Sequence, residues 1–182
     1  MCMESGRESE DARLVARFRA GEMQALETLF WRYADAVLAY ATRLLGNRTD
    51  AEEVLSEVFL RAFDGLMGYR AEGTFKAWLF RIARNCCIDR LRQPRLLRIE
   101  EVTEPMQNDA TADVELRVAV QRALRRLPEE YRTVLLLCDV EEFTAKEVAQ
   151  MLERSVPSVK GMLYRARAAL RDALSEEWGE EG

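Results

Sequence analysis

Nearly all of this chain repeats its apolar residues with the 3.6-residue period of an amphipathic α-helix, and no segment alternates like a half-buried strand. The period is lost over one stretch, from about Gln93 to Ala112, which contains Pro94, Pro105 and Asn108. Apolar residues make up 48% of the 182 residues, so the helical segments on either side can bury cores of their own. The sequence therefore predicts an all-α fold of two small helical domains joined by a flexible linker. The predicted bounds are 1–93 for the first domain, 94–113 for the linker and 114–182 for the second.

Four helices are predicted in the first domain from caps and turn glycines. A short helix covers about Glu10 to Ala20, a longer one covers about Glu22 to Leu45, and the capping-box sequence Thr49-Asp50-Ala51-Glu52 opens a third. The fourth begins near Thr74. Its aromatic residues are Phe75 and Trp78. Their spacing beside Leu79 and Ile82 indicates core positions rather than surfaces on which bases stack.

The second domain is predicted to end in a helix-turn-helix. A capping box at residues 144–147 opens a short helix, and a three-residue turn at 153–155 leads into the last helix. A short helix, a tight turn and a second helix that carries cations form the motif that places its second helix in the DNA major groove. The stripe predicted to face inward on that last helix is Val159, Leu163, Ala166 and Leu170.

Charge is concentrated in two basic stretches, although the whole chain has a net charge of −5. Residues 70–98 hold eight basic and two acidic side chains, a net of +6, and residues 154–171 hold five basic side chains and no acid. The overall charge excludes a globally basic nucleic-acid coat, so any binding of nucleic acid has to come from these local patches.

Several classes of protein are excluded by what the sequence lacks. Histidine is absent, and there is no GxxxxGK[ST] loop, no GxSxG motif and no CxxC pair, so we predict no enzyme, no cofactor and no metal site. The four cysteines are predicted to be reduced, mostly buried thiols. No stretch approaches a membrane span and the first residues lack an apolar signal core, which predicts a soluble, cytoplasmic protein without membrane insertion.

Four sequence blocks occur in an order that resembles one known family. They are Ala20-Gly21-Glu22 leading to Ala25 and Leu29, then residues 50–63, then residues 75–92, and finally Leu127-Pro128 through Arg165-Ala166-Arg167. In this order and spacing the chain resembles an extracytoplasmic-function (ECF) sigma factor, the promoter-recognition subunit of bacterial RNA polymerase. The resemblance implies that core RNA polymerase and promoter DNA are its partners, together with an anti-sigma factor that would cover the same faces.

The resemblance also assigns roles to residues of the first domain, which would bind polymerase and melt and read the −10 element. The positions that would bind the clamp helices of the largest polymerase subunit are Asp50, Glu53, Ser56, Glu57, Leu60 and Arg61. The family usually has glutamine at Ser56, so this contact is expected to be weaker here. Exposed bases need stacking surfaces, phosphate contacts and a reading amide; the residues that can supply them are Tyr69, Arg70, Lys76, Arg81, Arg84 and Asn85.

The second domain would recognise the −35 element through its last helix. Ser155 and Ser158 can meet phosphates at the helix N-terminus, and Lys160 and Arg165 are the best candidates for base edges, whereas Arg167 is expected to brace the domain or touch phosphate. The sequence departs from the family at Pro157, Gly161 and Met162, where glycine, serine and arginine are common. An apolar Met162 on the DNA face predicts an altered −35 preference or weaker reliance on that element.

The sequence alone leaves open two hypotheses that assign the chain to a different class of protein. One is a dimeric helix-turn-helix repressor or activator with residues 1–93 as a sensor, although the chain lacks a dimerising heptad. The other is a helical adaptor whose basic faces neutralise acidic partners. DNA footprinting without polymerase would favour the first, and failure to support transcription from any promoter would favour the second.

Overall fold

The computed structural model describes residues 2–70, 73–93 and 112–179, which form α-helices and one π-helical turn and contain no strand. This confirms the prediction of an all-α fold. The elements are α1 (Cys2–Arg19), α2 (Met23–Leu45), α3 (Arg48–Leu66), α4 (Phe75–Arg92), α5 (Ala112–Arg126), α6 (Glu129–Leu135), a π-helical turn (Leu136–Val140), α7 (Ala145–Leu152) and α8 (Val156–Gly179).

The first bundle consists of α1 to α4 and buries one aromatic and aliphatic core. Tyr40 of α2 and Phe80 of α4 are both fully buried, with ring centroids 5.5 Å apart in an edge-on arrangement. Gly46 ends α2 in the left-handed conformation at φ 73°, as its position after the apolar stripe predicts. The four helices place the outward faces of α3 and α4 side by side.

Two predicted helix starts in the first bundle are wrong. Helix α1 begins at Cys2, earlier than Glu10. Helix α3 begins at Arg48 because Asn47 is its N-cap and accepts a hydrogen bond from the Asp50 backbone N–H at 3.1 Å, so Thr49 lies inside the helix and opens no capping box. Helix α5 begins at Ala112, two residues before the predicted start; the rest of the predicted linker, residues 94–111, lies outside the described residues.

The second bundle contains the helix-turn-helix at the predicted place. The Thr144 hydroxyl accepts a hydrogen bond from the Glu147 N–H, and the Glu147 carboxylate accepts one from the Thr144 N–H at 2.8 Å, which confirms this capping box. Helix α7 ends at Leu152, its C-cap Glu153 has a left-handed conformation, and α8 begins at Val156. Pro157 lies in the first turn of α8, where its missing N–H costs no helical hydrogen bond.

The two bundles are in contact through α4 against α7 and through α2 against α5 and α6. Among the residues that the structure describes, no helix is both long and apolar enough to span a bilayer.

Candidate functional site

The outward face of α3 carries acidic and apolar side chains in one row. Glu53, Glu57 and Leu60 are exposed at spacings of three and four residues, and the Leu60 side chain is 67% exposed. Ser56 lies among them, but its hydroxyl donates a hydrogen bond back to the Glu52 backbone carbonyl at 3.2 Å. A partner helix would therefore meet two carboxylates around an apolar centre.

Asp50 lies inside the bundle rather than on this face, contrary to its predicted availability for a partner. It is 5% exposed, and the Arg90 Nε of α4 donates a hydrogen bond to its carboxylate at 2.8 Å. This hydrogen bond raises the pKa of Arg90, which also forms an ion pair with Glu53 at 2.8 Å. The first turn of α3 faces α4, so Asp50 ties the two helices together.

Arg61 extends the same face toward α4. Its guanidinium forms ion pairs with Glu57 one turn earlier and with Asp89 of α4 at 3.4 Å. Both carboxylates are substantially exposed, so the three side chains form a surface ladder across the two helices. Such a ladder orients Glu57 without burying it.

Helix α4 brings three of the predicted −10 residues together. Arg81 and Asn85 are exposed one turn apart, and Arg84 is half-buried next to Asn85. The Arg84 Nη1 donates a hydrogen bond to the Asn85 Oδ1 at 3.1 Å, so the oxygen of this amide is occupied while its nitrogen remains a donor. The arrangement combines cations with one amide in the way that phosphate binding and base reading require.

Tyr69 does not offer the exposed stacking surface that the sequence predicts. Its ring is 9% exposed, lies 4.9 Å from the Trp78 ring, and its hydroxyl donates to the Gly73 carbonyl at 3.2 Å. Phe75 completes this cluster and is buried, which confirms its predicted core position, whereas Trp78 packs against the core and is only partly buried. Arg70, the next residue, is exposed, and residues 71–72 of the predicted loop lie outside the described residues.

Lys76 is engaged by the second bundle. Its Nζ donates a hydrogen bond to the Glu141 backbone carbonyl at 2.7 Å and lies 4.7 Å from the centre of the Phe143 ring. Lys76 is therefore half-buried, whereas the sequence alone places it with the free cations of α4.

Three of the predicted −35 residues are exposed at or near the start of α8: Ser155, Lys160 and Arg165. The Ser155 Oγ accepts a hydrogen bond from the Ser158 N–H at 3.3 Å and thus caps the helix. Lys160 and Arg165 are exposed. A Cβ added to Gly161 would lie 3.6 Å from the Arg165 Nη1, so the guanidinium extends toward the N-terminal end of α8 over the glycine.

Met162 is buried, so its predicted place on the DNA face is wrong. It is 6% exposed and joins Val159 and Ala166 in the inward stripe, while Leu163 is only partly buried. The inward set follows spacings of three and four residues along the helix, and both Met162 and Leu163 fit that period. The family's arginine at this position is therefore replaced by a core residue.

Arg167 braces the second bundle, which confirms one of its two predicted roles. Its Nε and Nη2 donate hydrogen bonds to the two carboxylate oxygens of Asp139 at 2.9 and 2.5 Å. These hydrogen bonds raise the pKa of Arg167. The pair links α8 to the π-helical turn below the recognition face.

Sequence reasoning missed two residues beside these surfaces. Tyr164 is 78% exposed one turn after Lys160, and its i+4 spacing from that lysine was the available signal. Arg19 of α1 donates hydrogen bonds to the backbone carbonyls of Leu66 and Tyr69 at the end of α3, for which the sequence holds no signal. Arg19 fixes the loop that leads into α4.

No group of three possible metal ligands occurs within the described parts of the chain. Cys86, Cys87 and Cys138 are free thiols, and the first two are buried. Burial raises the pKa of Cys86 to about 11 and also raises the pKa of Cys87.

Two protein families match the chain in order. Sigma-70 region 2 matches residues 29–96, which hold α3 and α4, and sigma-70 region 4 matches residues 117–170, which hold the helix-turn-helix. The class that the fold and these faces define is therefore the sigma-70 type of transcription factor. A protein of this class directs RNA polymerase to promoters and is not itself a catalyst.

Individual relatives narrow the class. The ECF RNA polymerase sigma factor SigM of Mycobacterium tuberculosis is 34% identical over 172 residues, which cover 92% of this chain and 86% of that protein. The ECF RNA polymerase sigma factor SigE of Mycolicibacterium smegmatis is 33% identical over 167 residues, 87% of this chain and 65% of that longer protein. The solved structure of CnrH in complex with the cytosolic domain of CnrY has a TM-score of 0.70 and 29% identity, and the match covers 91% of this chain and 97% of CnrH.

The chain belongs to the ECF RNA polymerase sigma factors. This membership excludes the dimeric repressor and the helical adaptor as its class.

Proposed function

We propose that this sigma factor divides promoter recognition between its two bundles, with residues 1–93 binding core polymerase and the −10 element and residues 114–182 binding the −35 element. The observation that carries the proposal is the location of the two basic stretches. From the first stretch Arg81 is exposed on α4, and from the second Lys160 and Arg165 are exposed on α8; each lies inside the family region that matches there. Residues 94–111 join the two bundles in sequence.

The outward face of α3 is the proposed polymerase contact. Leu60 provides its apolar centre, and Glu53 and Glu57 provide charges that a basic partner helix would meet. Ser56 contributes little because its hydroxyl is bonded to the helix backbone. Asp50 and Arg61 act by positioning: Asp50 holds α3 against α4, and Arg61 orients Glu57.

The −10 surface is proposed to lie on the outward side of α4. Arg70, Arg81 and Arg84 would bind phosphates, and Asn85 would read a base that has left the stack. Tyr69 supports this surface from the core beneath it.

The Asn85 assignment predicts that Asn85→Ala loses preference at one −10 position. The amide supplies a hydrogen bond to a base edge, and such a contact is worth about 1–3 kcal/mol of discrimination. Transcription from a library with a randomised −10 element measures this preference. An unchanged base preference in the variant would refute the assignment.

The −35 surface is proposed to be the N-terminal half of α8. Ser155 and Ser158 lie where phosphates bind a helix N-terminus, and Lys160 and Arg165 reach toward base edges. Gly161 lies beside the Arg165 guanidinium, and Tyr164 adds an exposed ring next to Lys160. Met162 and Arg167 hold the helix in place.

The proposed −35 surface predicts a selective defect in the double variant Lys160→Ala, Arg165→Ala. We expect −35-dependent transcription to be abolished, because both cations are lost from the reading face, while binding to core polymerase stays intact. Arg171→Ala is a control, since Arg171 is also exposed on α8 but lies three helical turns after Lys160. If the double variant lost polymerase binding in a pull-down as fully as it lost −35-dependent transcription, the assignment of polymerase binding to the first bundle and of −35 recognition to the second would be rejected.

The whole function is tested by in vitro transcription with bacterial core polymerase on genomic DNA, with start sites mapped. Start sites that share −10 and −35 sequences and depend on the added chain would support the proposal. Absence of any affinity for bacterial core enzyme would overturn it.

A protein partner that inhibits this chain is also proposed. The related CnrH was solved in complex with the cytosolic domain of CnrY, and a comparable anti-sigma factor would cover the polymerase and DNA faces of this chain. Polymerase and promoter DNA require a cytoplasmic location for the active form.

A further inference from the structure

The turn that follows α3 is held from outside by a residue of α1. Arg19, the last residue of α1, donates hydrogen bonds from its guanidinium to the backbone carbonyl of Leu66, at 3.1 and 3.2 Å, and to that of Tyr69. The same Leu66 carbonyl accepts the Tyr69 N–H at 3.3 Å, which closes a four-residue turn. One guanidinium therefore binds both ends of this turn, residues 66–69.

The location of this guanidinium follows from how the two helices end. The last carbonyls of a helix have no partner within it, and the negative end of the helix dipole lies there. Helix α3 ends at Leu66, and its C-cap Met67 keeps the right-handed conformation instead of the left-handed one that closes α2 at Gly46. Helix α1 ends at Arg19 itself, so the cation lies where both dipoles favour positive charge.

Packing against α1 does not hold the turn in place. A groove of about 600 Å³ lies between α1 and the segment that leads into α4, with Val15 on one side and Phe75 on the other. Phe18 packs edge-on against Phe63 of α3, with ring centroids 5.8 Å apart, and so fixes the last turn of α1. The Arg19 side chain lines the groove and connects α1 to the turn. The turn is therefore held to α1 by hydrogen bonds rather than by close packing.

The turn carries part of the proposed −10 surface. Arg70 follows the turn directly and is exposed. Arg70 and Arg81 of α4 line one cleft together with Tyr69 and Trp78, whose rings lie 4.9 Å apart. The place of the turn therefore sets the distance between the two cations. A DNA strand that binds both cations costs the protein less conformational entropy when that distance is fixed beforehand.

We propose that Arg19 is a positioning residue for promoter melting, which holds the turn 66–69 so that Arg70 meets the −10 strand at a fixed distance from Arg81. This inference rests on the proposed function of α4 and of Arg70 as the −10 surface. The Arg19 guanidinium binds carbonyls of the protein itself, so it acts on DNA through the turn. It reduces the conformational freedom that the turn has to lose when an unpaired strand binds.

Amide hydrogen exchange of the full chain, followed by NMR, tests whether Arg19 holds the turn. The backbone N–H groups of Gly68 and Tyr69 donate to carbonyls of the same segment, and we expect both to exchange at least tenfold faster in Arg19→Ala than in the wild type. Arg17→Ala is the matched control, because it removes an exposed cation from the same turn of α1 that is paired with Glu22. Unchanged exchange of both N–H groups in Arg19→Ala would overturn the proposal.

Permanganate oxidation of unpaired thymines measures melting by the holoenzyme that the chain forms with bacterial core polymerase, on a promoter whose start site has been mapped. We expect Arg19→Ala to slow the appearance of reactive thymines about tenfold, the scale of one charge-assisted hydrogen bond, while core binding stays within about twofold. Arg17→Ala should open the promoter at the wild-type rate, and an Arg19→Ala holoenzyme that does so as well would overturn the proposal. If circular dichroism shows that Arg19→Ala unfolds the first bundle, Arg19→Met decides instead, since it keeps a long side chain and lacks the donors.

A double-mutant cycle with Arg70→Ala separates positioning from a general loss of stability. If Arg19 acts through the turn, Arg19→Ala should slow opening less than about twofold in a chain that already lacks the Arg70 side chain. Equal slowing with and without Arg70 would overturn the proposal. Arg81→Ala distinguishes this failure from that of the proposed function: unchanged opening in Arg81→Ala would reject the −10 surface and this inference with it. Slow opening in Arg81→Ala together with wild-type opening in Arg19→Ala would reject only the role of Arg19.

Discussion

Replacing Asp50 by alanine tests whether this residue binds a partner or holds the first bundle together. The substitution removes the buried acceptor of two hydrogen bonds from Arg90. Removal of one member of a buried ion pair costs about 3–5 kcal/mol. Arg90 keeps the exposed carboxylate of Glu53 and a 3.2 Å hydrogen bond to Gln93, so we expect a smaller loss of about 2 kcal/mol.

Thermal unfolding followed by calorimetry measures this loss. For a module of about 90 residues, 1 kcal/mol shifts Tm by roughly 4–8 °C, so Asp50→Ala should lower the transition of the first bundle by about 10 °C. Glu53→Ala is the matched control because it removes the exposed partner of the same arginine. An exposed pair contributes about 0.2–1 kcal/mol, and its loss should move Tm by only a few degrees.

Polymerase binding at 20 °C, where both variants are folded, completes the test. We expect Asp50→Ala to retain affinity for core polymerase within about twofold, since its carboxylate does not reach the surface. Leu60→Ala, which removes the exposed apolar centre of α3, should weaken binding at least tenfold, or about 1.4 kcal/mol. An Asp50→Ala protein with unchanged Tm and lost polymerase binding would refute the positioning role.

Two further predictions concern titratable groups. Burial raises the pKa of Cys86 from 9 to about 11 and so depletes the reactive thiolate. At pH 8 we therefore expect Cys86 to react with iodoacetamide about 100-fold more slowly in the folded than in the unfolded chain, as measured by mass spectrometry. Equal rates would contradict its burial. Burial also raises the pKa of Glu141 above 4.5. The Glu141 carboxyl group therefore keeps its proton to a higher pH in the folded chain than in the unfolded chain. As a result, the folded chain loses stability as pH rises through the interval just above 4.5. Glu141→Gln should remove this part of the pH dependence of Tm, and a parallel pH profile in the variant would contradict the assignment. The charged and titratable groups that act on Glu141 are Lys76, Arg43, Glu142 and Tyr40.

Features that depend on a few neighbouring residues could be predicted from the sequence. The capping box at Thr144, the end of α2 at Gly46 and the turn between α7 and α8 all satisfy backbone groups locally, so a short sequence pattern suffices. The cap of α3 shows the limit of such patterns. Asn47 and Thr49 are both good caps, and only the extended backbone at Asn47 decides between them.

Burial of individual side chains was harder to predict because a helical period fixes a face only to within about one residue. Met162 and Leu163 are both apolar neighbours on α8, and which of them is buried depends on the helices packed against it. Tyr69 and Asp50 were expected at the surface, but an aromatic cluster and the Arg90 guanidinium provide partners for them inside the fold. These partners are distant in sequence, so no local pattern reveals them.

The contact between the two bundles is the feature hardest to predict from the sequence. A long connecting segment allows many arrangements of the bundles, and the same cations can bind more than one kind of acceptor. Lys76 can bind a phosphate or, as here, a backbone carbonyl beside an aromatic ring. Glu147 and Gln150 of α7 line the same cleft as Arg81, and residues so far apart in sequence are brought together by no local pattern.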